Sequence, residues 1–253
     1  MKRLSATALL AIAIAIAIAT AAQAANEIDA KVQAALAAEG RPEADRVRDD
    51  NRMPLETLKF FGLKDNMRVV ELLPGGGWYT RVLAPVLAEN GQLYVAIGTG
   101  GIVEDGLLDE PGFGDVVVLD SGDNFRRVSR GVYAVDEFDL GVDGVDMVLT
   151  FRNMHNFPRE SRDRINKAVF AALKPGGVYG VVDHTRRHME PDNPENRRRL
   201  DPVLVIEELV ELGFEFEGYS DLHYRADDEL EYEVGRRSVS GNTDRFTLRF
   251  VKP

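Results

Sequence analysis

Apolar positions along this chain fall into two patterns, short unbroken runs and longer stretches with helical spacing, and the two alternate. The clearest junction is Val69-Val70-Glu71-Leu72-Leu73, then Pro74-Gly75-Gly76-Gly77, then Tyr79, Val82, Leu83, Val86 and Leu87 at helical spacing. It predicts a strand, a tight turn and an amphipathic helix that stops near Asn90-Gly91. Upstream, Ile28, Val32 and Leu36 mark a helix closed by Gly40 and Pro42, and Pro54 to Phe61 a second one ending at Gly62. Downstream, Leu93 to Ile97 reads as the second strand. Glycines and Pro111 then break any period over 98–135, where Val116 to Leu119 and Val132 to Val135 compete for the third strand. Regularity returns with a strand at Val145 to Phe151, a helix at Arg159 to Leu173, a Lys174-Pro175-Gly176-Gly177 turn and a strand at Val178 to Val182. A helix at Pro202 to Leu212 and strands at Phe214 to Tyr219 and Phe246 to Val251 complete the chain. Strands alternating with helices predict an α/β fold with a mainly parallel sheet.

The first 24 residues follow a different rule. Lys2 and Arg3 precede an Ala, Ile and Leu run to Ala19, and Ala22-Gln23-Ala24 supplies small residues for cleavage. This predicts a signal peptide for export to the periplasm or beyond; an uncleaved anchor is the other reading. The expected organisation is a signal at 1–24, a helical extension at 25–54 and one domain at 55–253. No stable membrane insertion is expected once the signal is removed. With 253 residues and 44% apolar content the chain can bury a full core. A net charge of −11 excludes nucleic acid as a bulk electrostatic partner, and the absence of cysteine removes thiolate chemistry.

The glycine turn suits a nucleotide-like ligand, and its details narrow which one. A dinucleotide fingerprint needs a third glycine where Thr80 stands, and an acid where the second strand ends in Ile97-Gly98-Thr99. No Lys-Ser or Lys-Thr follows the glycines, so a phosphate loop is excluded. A ligand without phosphate needs only room and a carboxylate for an ammonium group, which Glu71 offers. On RVVELLPGGGWYTRVLAPVL from Arg68, FRNMHNF from Phe151, NKAVFAALKPGGVYGVVDH from Asn166, RLDP from Arg199 and DRFTLRFVKP from Asp244, the chain resembles the class I S-adenosylmethionine-dependent methyltransferases. Within them it is similar to a bacterial group that often carries export signals. The resemblance implies a Rossmann-like seven-stranded sheet with helices on both faces and a C-terminal antiparallel hairpin. It implies S-adenosyl-L-methionine held across Glu71, Pro74, Gly75, Gly76, Gly77, Trp78 and Tyr79. It also exposes a departure: the family's ribose-gripping acid is replaced by Gly98, unless Glu104 or Asp105 swings in. The acid that contacts adenine would be Asp120 or Asp136, according to which candidate strand is real.

Methyl transfer requires positioning, with a base where the acceptor loses a proton. Asn153, His155 and Asn156 follow one predicted strand, and Asp183 and His184 follow the next, so these groups are expected to meet at the carboxyl edge of the sheet. A His–Asp pair is a candidate base. The same two histidines and aspartate are also a metal-ligand set, though no metal is expected. Arg186, Arg187, His188, Arg197, Arg198 and Arg199 form a basic patch in an acidic chain. It reads as a solvated loop, as recognition of an anionic acceptor, or as a loop pinned by an Arg199–Asp201 pair. The expected function is methyl transfer to a small-molecule acceptor; the alternative is an exported, catalytically silent binding protein of the same fold. A nicotinamide oxidoreductase is a distant third.

Overall fold

In the computed structural model the described residues are 27–120 and 125–253. The expected signal and its cleavage site lie outside them. Among the described residues, no helix is long and apolar enough to cross a membrane.

Residues 27–37 form helix α1, followed by two short helices, α2 (Glu43–Arg46) and α3 (Asp49–Arg52), and by α4 (Pro54–Phe61). Pro54 opens α4 at a position whose N–H needs no partner, and Gly62 closes it in the left-handed region. Next come β1 (Arg68–Leu72), α5 (Thr80–Leu87), β2 (Gln92–Ala96), α6 (Gly100–Glu104) and β3 (Val117–Leu119). The second half holds β4 (Phe125–Ser129), β5 (Val132–Val135), β6 (Val145–Phe151), α7 (Arg159–Ala172), β7 (Leu173–His184), α8 (Pro202–Glu211), β8 (Glu215–Ser220) and β9 (Arg245–Val251).

The main sheet has seven strands in the order β3-β2-β1-β6-β7-β9-β8. All neighbours are parallel except β9, which runs antiparallel to both β7 and β8. This is the Rossmann-like methyltransferase fold with its C-terminal hairpin. The competition for the third strand is resolved. Val117–Leu119 pairs with β2, whereas Val132–Val135 pairs only with β4, in a separate two-stranded hairpin that the sequence pattern does not reveal.

Strand alternation divides the core between the two faces. On one face Val70, Leu72, Val148, Tyr179 and Val181 pack under α7 and α8. On the other, Val69, Met147 and Leu149 pack with α1, α4 and α5, and Ile28 and Val32 of α1 belong to that core. Glu71, odd-numbered like Val69, therefore faces the α4/α5 side, while Asp183 shares the α7 side with Tyr179 and Val181. The order reverses between β1 and β6, where open α/β sheets place ligands beyond the strands' carboxyl ends.

Candidate active site

Three neighbouring strands leave that edge through a left-handed residue that is not glycine: Leu73 after β1 (φ 51°), Ile97 after β2 (φ 60°) and Arg152 after β6 (φ 63°). Such a conformation costs on the order of 1–3 kcal/mol per residue, and for β-branched Ile97 it is a genuine outlier. Strain concentrated on three neighbouring strand ends marks this edge as the working one.

Above β1 lies a cavity of about 200 Å³ lined by Glu71, Leu73, Pro74, Gly75, Gly76, Trp78, Tyr79 and Asn153. Arg48, Arg52, Arg152, Asp45 and Phe151 complete its wall. Glu71 is buried and accepts a hydrogen bond from Thr80 Oγ1 at 2.7 Å. Burial pushes its carboxyl up to about 7, against the opposing pull of Thr80 and the Arg52 charge. Trp78 donates from Nε1 to the Asp45 carbonyl at 3.0 Å, and Tyr79 stacks on Phe151 with ring centroids 3.5 Å apart. Asn153 donates to the Leu73 carbonyl at 3.1 Å, so it belongs to this cavity rather than to the histidines.

The sequence reading did not single out the arginines here, because they arrive from segments a hundred residues apart. Arg52 is buried, lies 4.3 Å over the Trp78 ring and leaves its Nε without a partner. Burial, then the Arg152 and Arg48 charges, push it down to about 8. Arg152 is lowered too, first by burial and then by Arg48. The cavity thus offers Glu71 together with uncompensated guanidinium charge, the two halves a zwitterionic amino-acid end requires.

Three expected cofactor contacts, Gly77, Asp136 and Asp120, do not line this cavity. Gly77 is required by packing: a Cβ there would collide with Leu107 Cδ2, in the short helix after α6. Asp136 follows the hairpin strand, is exposed and faces Arg164 at 3.9 Å. Asp120 does follow the true third strand, but it is exposed and does not line the cavity. Gly98 has no acid substitute, since Glu104 and Asp105 are both exposed. The space over Gly98 is filled instead, as a Cβ there would lie 3.6 Å from both Leu73 Cδ2 and Phe125 Cζ. Phe125 stacks on Tyr133 at 4.9 Å and tilts against Phe157. The space beyond Gly98 is therefore covered by the β4–β5 hairpin.

On the opposite face, Asp183 and the histidines converge as expected. Asp183 is fully buried and accepts hydrogen bonds from His155 N, His155 Nδ1 and His184 N. With Nδ1 donating to the carboxylate, the neutral His155 ring keeps its lone pair on Nε2, the arrangement of an oriented base. His184 Nδ1 meets Thr243 Oγ1 at 2.8 Å, and burial holds that ring well below the usual histidine range, hence neutral. The three groups lie close enough to hold a metal, but hydrogen bonds already engage Asp183 and one nitrogen of each ring. His155 and Asn156 line a second cavity of about 310 Å³ beneath the arginine loop. In that loop Arg199 does not pair with Asp201. It is buried against Asp228, while Asp201 caps α8 through Val203 N and receives His188 Nδ1.

No protein-family model matches the sequence, and a comparison with curated proteins returns no match. Solved structures do resemble it. A SAM-dependent methyltransferase from Aquifex aeolicus aligns over 81% of this chain and 93% of its own, with TM-score 0.57 and 18% identity. Aeropyrum pernix fibrillarin with natively bound S-adenosyl-L-methionine aligns over 81% and 76%, with TM-score 0.51 and 16% identity. The 4+2 cyclase SpnF aligns over 86% and 85%, with TM-score 0.54 and 16% identity, so the same fold also carries other chemistry. What this chain shares with all three is the fold, the Rossmann-like architecture of the S-adenosylmethionine-dependent methyltransferases.

Proposed function

We propose that the protein is an S-adenosylmethionine-dependent methyltransferase acting on a small-molecule acceptor. The observation that carries this reading is Glu71, which stands at the strand edge where the sheet order reverses and lines an open cavity under Pro74, Gly75 and Gly76. Glu71 would receive the ammonium of the cofactor's amino-acid end, and Arg52 and Arg152 its carboxylate. The bound cofactor supplies a methyl group on a sulfonium carbon. Around it the chain's residues have two tasks. Trp78, Tyr79 and Phe151 wall off water, and His155 Nε2, oriented by Asp183, accepts the proton of the acceptor. The cavity of about 200 Å³ suits the amino-acid end alone, below the roughly 300 Å³ at which ligand pockets begin. The nucleoside end requires Phe125 to move off Gly98. Calorimetric titration with S-adenosylmethionine and S-adenosylhomocysteine tests the reading, with micromolar binding expected. Failure of both ligands to bind would remove it.

The filled space over Gly98 favours a second reading, a methyltransferase-fold binding protein without catalysis. In that case a small zwitterion or anion would occupy the cavity under Gly75 and Gly76, and S-adenosylhomocysteine would not. The N-terminal export signal read from the sequence favours this second reading, since it would lead to a compartment where S-adenosylmethionine is not obviously supplied.

A further inference from the structure

The second cavity carries a charge imbalance that nothing so far uses. Seven arginines line it, from the hairpin tip (Arg130), α7 (Arg159, Arg162) and the loop after β7 (Arg186, Arg197, Arg198, Arg199), with Asp192 as the one acid on the wall. Four of them are neutralised from outside the cavity: Arg159 and Arg162 by Glu211 and Glu208, Arg198 by Glu233 and Arg199 by Asp228. Arg186 meets only Asp192, itself 71% exposed, and its buried Nε has no partner. Arg197, half-buried, and Arg130, exposed, make no hydrogen bond or ion pair with any described residue. A net-acidic chain has carboxylates to spare, so cations left unmatched around one hollow are a cost that a bound anion would remove.

The same hollow contains the base. His155 lines it, with Nδ1 committed to Asp183 at 2.5 Å. We propose, resting on the methyltransferase reading, that this cavity takes the acceptor, and that the acceptor is a small organic anion bearing a hydroxyl beside a carboxylate or phosphate ester. Arg197, Arg186 and Arg130 hold the anionic group, and His155 Nε2 takes the hydroxyl proton as the oxygen forms its bond to the methyl carbon, whose bond to the sulfonium sulfur of the cofactor would break to leave S-adenosylhomocysteine as a neutral thioether. A guanidinium suits both anions because its planar fork matches their oxygens. At about 310 Å³ the cavity limits the acceptor to a compact molecule.

The full chain is titrated calorimetrically with glycerol 3-phosphate, glycerate and glycerol, and separately with S-adenosylhomocysteine. At least one of the two anions binds and glycerol does not; which anion binds distinguishes phosphate from carboxylate. Arg197→Gln weakens that binding about tenfold or more, whereas Arg197→Lys, which keeps the charge but loses the planar fork, recovers only part of it. Arg197 has no partner to lose, so the variant keeps its thermal transition; Arg130→Gln, at an exposed position, provides a second reading. Absence of binding by both anions, binding of glycerol as tight as theirs, or unchanged affinity in Arg197→Gln overturns the proposal. S-adenosylhomocysteine binding without anion binding leaves the methyltransferase reading standing and removes this one. Anion binding without S-adenosylhomocysteine binding leaves the arginine anion site standing but removes the methyltransferase reading and, with it, the assignment of that anion as a methyl acceptor.

Discussion

His155 Nδ1 lies 2.5 Å from Asp183 Oδ1, and the backbone N–H groups of His155 and His184 close on the same carboxylate. A fully buried acid is thereby tied to two strand ends at once, and the histidine ring is locked in one orientation. Asp183 holds the edge together; His155 is the group left free to act.

Substitutions at the two positions should therefore part company. Asp183→Ala leaves buried donors unpaired and is expected to cost about 3 kcal/mol of stability, read from the denaturant midpoint. His155→Gln should fold within about 1 kcal/mol of the parent yet lower methyl transfer by roughly a hundredfold or more. Equal stability loss in both variants would make the histidine structural.

Glu71 sets a pH dependence. Its folded-state value of about 7 lies above the ordinary 4.5, so the folded state holds its proton more tightly than the unfolded one. The resulting stabilisation, up to about 3 kcal/mol, is present below pH 4.5 and is lost as pH rises through 7. Comparing melts of the parent and Glu71→Gln across that window isolates the effect. An ammonium ligand needs the ionised form, so S-adenosylhomocysteine affinity should climb up to about tenfold per pH unit to pH 7 and then level off, with no such climb in Glu71→Gln.

His223 titrates with the opposite sign. It is buried, with Nδ1 against Thr247 Oγ1 and Nε2 against the Arg52 carbonyl, and burial brings it down to about 4. The neutral ring stabilises the fold above pH 6.5, and that contribution is lost as pH falls towards 4. Because its partner is the carbonyl of Arg52, acid should loosen the cavity wall before the whole domain unfolds. Trp78, the sole tryptophan, lies under Arg52 and reports this directly. Its fluorescence should change at a higher pH than the far-ultraviolet dichroism does.

The space over Gly98 discriminates between the two functional readings. If the nucleoside must displace Phe125, then Phe125→Ala removes part of that cost and S-adenosylhomocysteine should bind several-fold more tightly. Unaltered or absent binding in the variant would point to the silent, small-ligand reading.

The glycines of the turn should separate by mechanism. Gly77→Ala meets Leu107 as well as a left-handed backbone and should cost more than about 2 kcal/mol. Gly75→Ala has open space around it and only its φ of 59° to overcome, about 1 kcal/mol. Thermal melts without ligand read both values.

The sequence alone determined the elements whose signal is local. The β1–turn–α5 unit, the strand at Val145–Phe151 and the meeting of His155 with Asp183 at the carboxyl edge follow from side-chain period and from where apolar runs end, because neighbours along the chain set both. Tertiary structure decided what depends on distant partners. Val117–Leu119 and Val132–Val135 are equally apolar, and only hydrogen bonding to β2 chose between them. The sequence pattern placed Gly77 against the ligand, and contact with Leu107, which no local signal reveals, assigned it to packing. Arg52 and Arg152 acquire their meaning from burial in one cavity, since electrostatic energy depends on separation and dielectric in space rather than on spacing in sequence.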